Sequence, residues 1–269
     1  MAHDKSGGAP LDASIIAAAL ARDDIVIEVL PDADSTNTVL LNRGTAGAHR
    51  HALFAEAQRA GRGRNGNAWT ATPGANILMS FGWRFPATLR GGLSLAAGLA
   101  LRRVAARLGI RGAGVKWPND VLVDGRKLAG ILVETRVSAQ ATLAVIGVGL
   151  NVALAPEDRA RIETPNVDLR TLLGASPDRN LLGAQLVNEL ADTCALFATD
   201  GFAPFETEWR EHDVCAGKTV SVHEGAGVSH AMASGVTTDG ALRLQSGDGT
   251  MRAVHAGEVR RLRLNETAG

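Results

Sequence analysis

The spacing of apolar side chains along this chain changes several times, and each change marks an element. Leu11, Ile15, Ile16 and Leu20 share one helical face, which predicts a short amphipathic helix over residues 11–22. No second helix and turn follow it, so a helix-turn-helix module has no room there. Residues 1–10 are polar and Gly-containing and are expected to be frayed. Residues 25–30, 51–57, 76–83 and 143–152 read as strands, the last interrupted by Gly147 and Gly149. Residues 93–108 and 181–197 repeat their apolar positions at helical spacing. Asp34-Ser35-Thr36-Asn37 opens the run Val39-Leu40-Leu41, with Ser35 placed to cap a helix start. Residues 121–134 predict a hairpin about Asp124-Gly125. From Gly217 the runs shorten to Val220/Val222, Leu242/Leu244 and Val259/Leu262/Leu264, separated by Gly-rich turns. That pattern predicts a small all-β module beginning near Cys215.

The chain has 269 residues, of which 45% are hydrophobic and 21% charged, with net charge zero. This supplies a core and argues against a DNA-binding protein, which carries a basic bias. Any anion site must therefore be local. Cys194 and Cys215 form neither a metal-ligand spacing nor a disulfide framework. No basic stretch followed by an apolar run stands near residue 1 and no uncharged apolar run reaches transmembrane length, so neither a signal peptide nor a membrane span is expected, and a cytoplasmic protein is.

Positive charge is spelled almost entirely as Arg, with four lysines in the whole chain. Two of them, Lys116 and Lys127, stand in one stretch, Lys116-Trp-Pro-Asn119-Asp120 followed by Arg126-Lys127-Leu-Ala-Gly130. A compact ammonium suits a tight phosphate pocket where a guanidinium fork does not fit; the plain alternative is a solvated lysine after a turn. Gly61-Arg62-Gly63-Arg64-Asn65-Gly66 matches the dinucleotide fingerprint in letters only. No apolar helix follows, and two arginines stand where the backbone should close on pyrophosphate. It reads as a loop able to fold over a polyanion. Gly217-Lys218-Thr219 lacks the first glycine of a phosphate loop, since position 212 is His. Trp69, in a chain with 4% aromatics, is either a core ring or a platform for a base. Glycines 147 and 149 imply close approach of a ligand or another backbone, and Asn151 carries an amide able to read a base edge or cap a turn.

Together these segments resemble the bacterial biotin protein ligases. The resemblance rests on Asp34-Ser-Thr-Asn37, Gln58-Arg-Ala-Gly-Arg-Gly-Arg64 with Gly66 and Trp69, Lys116-Trp-Pro-Asn-Asp120, Arg126 to Glu134, and Gly147-Val-Gly-Leu-Asn151, in the family's order and spacing. It implies an α+β fold with a mixed sheet and helices on one face, as in class II synthetases, spanning residues 1–215. An SH3-like β-barrel would occupy residues 216–265. It implies an enzyme that uses ATP and Mg2+ to convert biotin to biotinyl-5′-adenylate. The biotin would then pass to a lysine of the biotin carboxyl carrier domain of an acyl-CoA carboxylase. Ser35, Thr36, Asn37, Gln58, Gly61, Arg62, Gly63, Arg64, Lys127, Gly130, Gly147 and Gly149 would surround biotin. Arg62, Arg64, Trp69, Asn119, Lys127 and Asn151 would hold the nucleotide, and Lys127, Arg64, Lys116 and Asp120 would serve catalysis. The metal ligands are not specified. Neither DNA nor membrane is an expected partner, and a monomer or weak homodimer is. Two positions depart from the family pattern: Arg59 stands for Thr, and Asn67 stands for an Arg that would add a third guanidinium to the loop. The alternatives are a lipoate or octanoyl ligase or transferase of the same fold, and a non-catalytic biotin-binding protein.

Overall fold

The computed structural model describes residues 9–224 and 227–261. The expected frayed start up to residue 8, and the apolar positions Leu262 and Leu264, lie outside the described residues. Among them, seven strands form the larger sheet: β1 (Val26–Leu30), β2 (His51–Ala55), β3 (Asn76–Pro86), β4 (Ala113–Lys116), β5 (Asp120–Val123), β6 (Arg126–Val137) and β7 (Ala141–Asn151). Their order is β1-β2-β3-β7-β6-β5-β4, parallel between β1 and β2 and antiparallel elsewhere. The helices are α1 (Ala13–Ala18), α2 (Thr36–Ala48), α3 (Leu93–Arg107), α4 (Pro156–Arg161), α5 (Leu169–Leu173), α6 (Arg179–Asp200) and α7 (Glu206–His212). A smaller antiparallel sheet follows: β8 (Thr219–Glu224), β9 (Gly227–Val236), β10 (Leu242–Gln245), β11 (Met251–Val254) and β12 (Glu258–Arg261), ordered β11-β10-β9-β8-β12. No helix among the described residues is long and apolar enough to cross a membrane.

The two faces of the larger sheet are built differently. Ala52 and Phe54 of β2, Ile77, Met79 and Phe81 of β3, and Ala144, Ile146 and Val148 of β7 point one way. They meet α1, α3 and α6 in the main apolar core. Their alternate neighbours Leu53, Leu143 and Val145 pack with Leu40 of α2 in a separate cluster. The long helices α3 and α6 share one face, as expected, and α2 lies on the other. The reason is in the strands: consecutive apolar residues point to opposite faces, and both faces then need cover. On the α2 face the apolar character stops toward the end of the sheet. Ser80, Gly130, Gly147, Gly149 and Asn151 replace it there.

The Asp124-Gly125 hairpin is as the pattern predicts, with both residues left-handed at φ 50° and 75°, the twist a two-residue hairpin favours. The first helix is shorter than its apolar spacing suggests. Asp12 accepts from the N–H groups of Ser14 and Ile15 and starts it at Ala13. The two sheets touch where Trp117 Nε1 donates to the Gly240 carbonyl at 3.0 Å.

Candidate functional site

Three glycines make the floor. Gly147 and Gly149 lie two apart on β7, hence on one face, and Gly149 pairs with Gly130 of β6. A Cβ on Gly147 would stand 2.5 Å from Asn37 Oδ1, and one on Gly149 would stand 2.4 Å from the Trp69 ring. At Gly130 it would meet the same ring at 2.9 Å and Lys127 Nζ at 3.1 Å. Any side chain here would push out α2, the tryptophan or the lysine.

Around Gly147 the polar atoms bond to one another. Ser35 occupies the N-cap position of α2 but makes no capping bond. Gln58 Oε1 takes the Thr36 N–H instead, at 2.7 Å, so the expected Ser35 cap is corrected: a residue beyond β2 caps the helix. Asn37 Nδ2 donates to the Leu132 carbonyl at 3.2 Å and to Glu134 Oε2 at 2.7 Å. Two acceptors on that side turn Asn37 Oδ1 toward Gly147 and Ser80. The Ser80 hydroxyl lies 2.6 Å from Asn37 Oδ1 and 2.7 Å from Thr36 Oγ1. It has one hydrogen, and Oδ1 can only accept. Ser80 therefore donates to Asn37, and the Thr36 hydroxyl donates to Ser80 in preference to its longer 3.1 Å approach to Gln58 Oε1. Thr36 Oγ1 is left with acceptor capacity and Gln58 Nε2 with donor capacity. Such a pair recognises a neutral group carrying both N–H and C=O.

The Lys127 end is arranged otherwise. Lys127 Nζ lies 2.7 Å from Asp120 Oδ1 and 5.3 Å from the centroid of Trp69. Its backbone is clamped, since its N–H donates to the Pro165 carbonyl at 2.7 Å and its carbonyl accepts from Val167 at 3.0 Å. Asn151 Nδ2 donates to the carbonyls of Lys127 and Val167, and Asn151 Oδ1 accepts from Asn76 at 3.2 Å. Asn151 is buried, and its amide holds the Lys127 main chain. Asn119 likewise gives its Nδ2 to the Ile131 carbonyl at 2.7 Å. Lys116 is half-buried, opposite Asp120 in the β4–β5 pairing.

Two buried polar atoms around Lys127 have no hydrogen-bond partner, Trp69 Nε1 and Asn166 Oδ1, while Asp120 Oδ1 is held by the lysine ammonium alone. Asn166 bridges the Lys127 backbone and went unnoticed in the sequence, where it is an ordinary loop residue with no motif around it. A buried polar atom without a partner costs about 1–3 kcal/mol, and two together mark a place that a polar ligand completes. No group of three His, Cys, Asp or Glu able to hold a metal occurs among the described residues. Magnesium arriving with a triphosphate draws on only one or two carboxylates, and Asp120, a carboxylate standing beside Lys127, fits that requirement.

The Gly-Arg loop closes on itself. Gly63 N–H donates to the Asn67 carbonyl at 2.7 Å and Trp69 N–H to the Gly61 carbonyl at 2.9 Å. A three-residue 3-10 turn, Arg64–Gly66, stands where a dinucleotide site would begin a helix. The two arginines face opposite ways. Arg62 is exposed and donates to Thr38 Oγ1 at 3.0 Å, with Glu134 Oε1 at 3.5 Å. Arg64 is half-buried and donates to the Gly257 carbonyl of the smaller sheet at 3.1 Å. Burial pushes the Arg64 guanidinium below its usual range, against the pull of Asp120 and Glu258. Arg64 also lines a cavity of about 290 Å3 between the sheets, with Trp117, Asn119, Asp239 and His255. Asn67 is exposed.

This architecture has relatives. The Biotin/lipoate A/B protein ligase family matches residues 29–151, and the Biotin protein ligase C terminal domain matches residues 216–261. The chain is 39% identical to the biotin–[acetyl-CoA-carboxylase] ligase of Mycobacterium tuberculosis over 88% of its length and 89% of the relative's. It is 37% identical to the bifunctional ligase/repressor BirA of Escherichia coli, over 87% and 73% of the two chains. Among solved structures, it resembles the biotin protein ligase of Aquifex aeolicus in complex with biotin and ATP. That likeness has a TM-score of 0.75 and 23% identity, over 88% and 99% of the two chains. The Leishmania major biotin protein ligase in complex with biotinyl-5-AMP gives a TM-score of 0.58 and 25% identity, over 86% and 98%.

Proposed function

Because this chain belongs to the biotin/lipoate A/B protein ligase family, we propose that it is a biotin protein ligase that makes biotinyl-5′-adenylate from biotin and ATP and passes the biotin to a lysine of a carrier domain. The observation that carries the reading is the glycine floor flanked by two different chemistries. At one end Thr36 and Gln58 offer an acceptor and a donor to a ureido ring. At the other, Lys127, Trp69 and Asp120 form a cationic, aromatic corner suited to a carboxylate and an adenylate.

In this reading residues 1–215 form the catalytic unit and residues 216–265 its C-terminal partner. The biotin carboxylate attacks the α-phosphorus of ATP and pyrophosphate leaves. Lys127 neutralises the charge that develops on the carboxylate and α-phosphoryl oxygens. Its clamped backbone keeps the ammonium in place at no cost during the reaction. Trp69 offers its face to adenine. Asp120 would hold the magnesium that accompanies the triphosphate, which neutralises phosphate charge. Arg62 and Arg64 lie on the loop that covers the mixed anhydride and keeps water from it. An uncharged acceptor lysine then attacks the acyl carbon and AMP leaves. Asn119, Lys116 and the inter-sheet cavity are on the acceptor side. Little covalent chemistry falls to the enzyme; positioning supplies the rate.

The test is a transfer experiment. The protein is incubated with ATP, magnesium, a biotin carrier domain, and either biotin or lipoate, and the carrier is weighed by mass spectrometry. The expected result is the mass of one biotinyl group, dependent on ATP, and none from lipoate. Lipoylation instead reassigns the substrate, and an unmodified carrier with bound biotin leaves a binding protein.

A further inference from the structure

Glu134 ends the segment that carries Lys127 and Gly130, and no role in the site has attached to it. Its two carboxylate oxygens reach two different parts of the site. Oε2 accepts from Asn37 Nδ2 at 2.7 Å, and Oε1 lies 3.5 Å from Arg62 Nη2. Asn37 is 4% exposed, whereas the Arg62 side chain is 47% exposed on the Gly-Arg loop. One side chain thus joins the fixed wall of the pocket to the loop above it. β6 makes this possible. Gly130, Leu132 and Glu134 alternate onto the α2 face, so the strand that presents Gly130 to the floor also presents Glu134 at the rim.

We propose that Glu134 is a positioning residue, which sets the hydrogen-bond direction of the ring pocket and tethers the loop through Arg62. The direction passes along a chain. An ionised carboxylate can only accept, so together with the Leu132 carbonyl it holds Asn37 Nδ2 toward β6. Asn37 Oδ1 then faces Ser80 and takes its hydrogen. Ser80 takes the hydrogen of Thr36, and Thr36 Oγ1 remains an acceptor toward the ligand. Without the carboxylate, Leu132 alone opposes rotation of the Asn37 amide, which would offer a donor to Ser80 and reverse the chain. The tether is a separate, weaker contact. The Arg62 pair is exposed and screened, so its loss changes how long the loop stays closed and not whether it closes. This inference rests on the biotin ligase reading for the identity of the ring.

Two substitutions separate the two contacts. Glu134→Gln keeps an acceptor for Asn37 and removes the charge that faces Arg62; Glu134→Ala removes both. Biotin affinity is read by calorimetry without nucleotide, the biotin KM and kcat by pyrophosphate release, and adenylate retention by the dissociation rate of preformed biotinyl-5′-adenylate. In Glu134→Ala, biotin affinity is expected to fall roughly tenfold, as for loss of a charge-assisted hydrogen bond, through KM with kcat within about twofold. In Glu134→Gln, biotin KM is expected to return to within about twofold of the parent, while adenylate still leaves about two to five times faster, as for loss of an exposed ion pair. A biotin KM in Glu134→Gln as high as in Glu134→Ala, or unchanged in both, overturns the role in the pocket. An adenylate lifetime in Glu134→Gln equal to that of the parent overturns the tether. Should Glu134→Ala be recovered unfolded, Glu134→Met, which fills the same volume without an acceptor, takes its place in the same comparison. Failure of the parent itself to bind biotin refutes the ligase reading and not this one.

Discussion

The two ends of the site differ in how far the protein satisfies its own polar atoms. At the Gly147 end, Thr36, Asn37, Gln58, Ser80 and Glu134 form a connected set in which the directions of the hydrogen bonds follow from chemistry alone. At the Lys127 end, Trp69 and Asn166 each keep a buried atom without a partner. A pocket for a small neutral ring gains from being finished beforehand, because a weakly charged ligand brings little energy to reorganise it. A corner that meets phosphate has a strong ligand to complete it and tolerates being unfinished. The comparison separates recognition, placed at the finished end, from charge stabilisation, placed at the unfinished one.

The largest expected effect tests that separation at Lys127. Lys127→Ala is expected to lower pyrophosphate release about a hundredfold or more, the usual loss for a group aimed at developing charge. Biotin binding without nucleotide should fall less than about tenfold, because the ring pocket does not depend on the ammonium. Both are measured on the same preparation, with its thermal unfolding as a control. Near-normal pyrophosphate release ends the catalytic assignment, and an equal loss of both properties merges the two ends.

Ser80→Ala breaks the finished end. Ser80 is fully buried and bridges Asn37 and Thr36, so truncation leaves the Asn37 Oδ1 acceptor unpaired at about 1–3 kcal/mol and turns the Thr36 hydroxyl to Gln58 Oε1. Biotin affinity is expected to fall about tenfold and nucleotide affinity without biotin to stay within about twofold, which follows if distant sites act independently. Separate titrations by calorimetry decide. Matching losses for both ligands would mean that the serine supports the sheet as a whole.

The sequence disclosed these two ends unequally. Gly147 and Gly149 announced themselves as glycines in an apolar strand, and Lys116 and Lys127 through the scarcity of lysine. The SH3-like tail showed in its short alternating runs. Ser80 and Asn166 gave no signal: one lies inside a buried strand, the other in a loop, and each gains meaning only from neighbours 43 and 39 positions away along the chain. Asn151 was conspicuous, but a motif reveals that an amide is present and not which carbonyls it serves. The position of α2 also escaped, since consecutive apolar residues in a strand show that both faces are covered without showing by which helix.

The smallest effect lies on the loop that spans the two ends. Asn67 leaves the loop with one guanidinium fewer than the family pattern, and its backbone carbonyl closes the loop onto Gly63 at 2.7 Å. Because that bond is made by the main chain, Asn67→Arg keeps it and adds only a side chain at an exposed position. A charge gained in solvent is screened, so the expected gain in ATP affinity is about two- to fivefold at low salt and vanishes as ionic strength rises. Biotin affinity without nucleotide should not change, since the ring pocket carries no phosphate. Titrating ATP and biotin separately, at two salt concentrations, checks this. A salt-dependent gain for ATP alone places residue 67 on the unfinished, phosphate side of the site. No gain removes it from that side and leaves the claim on the nucleotide to Arg62, Arg64 and Trp69.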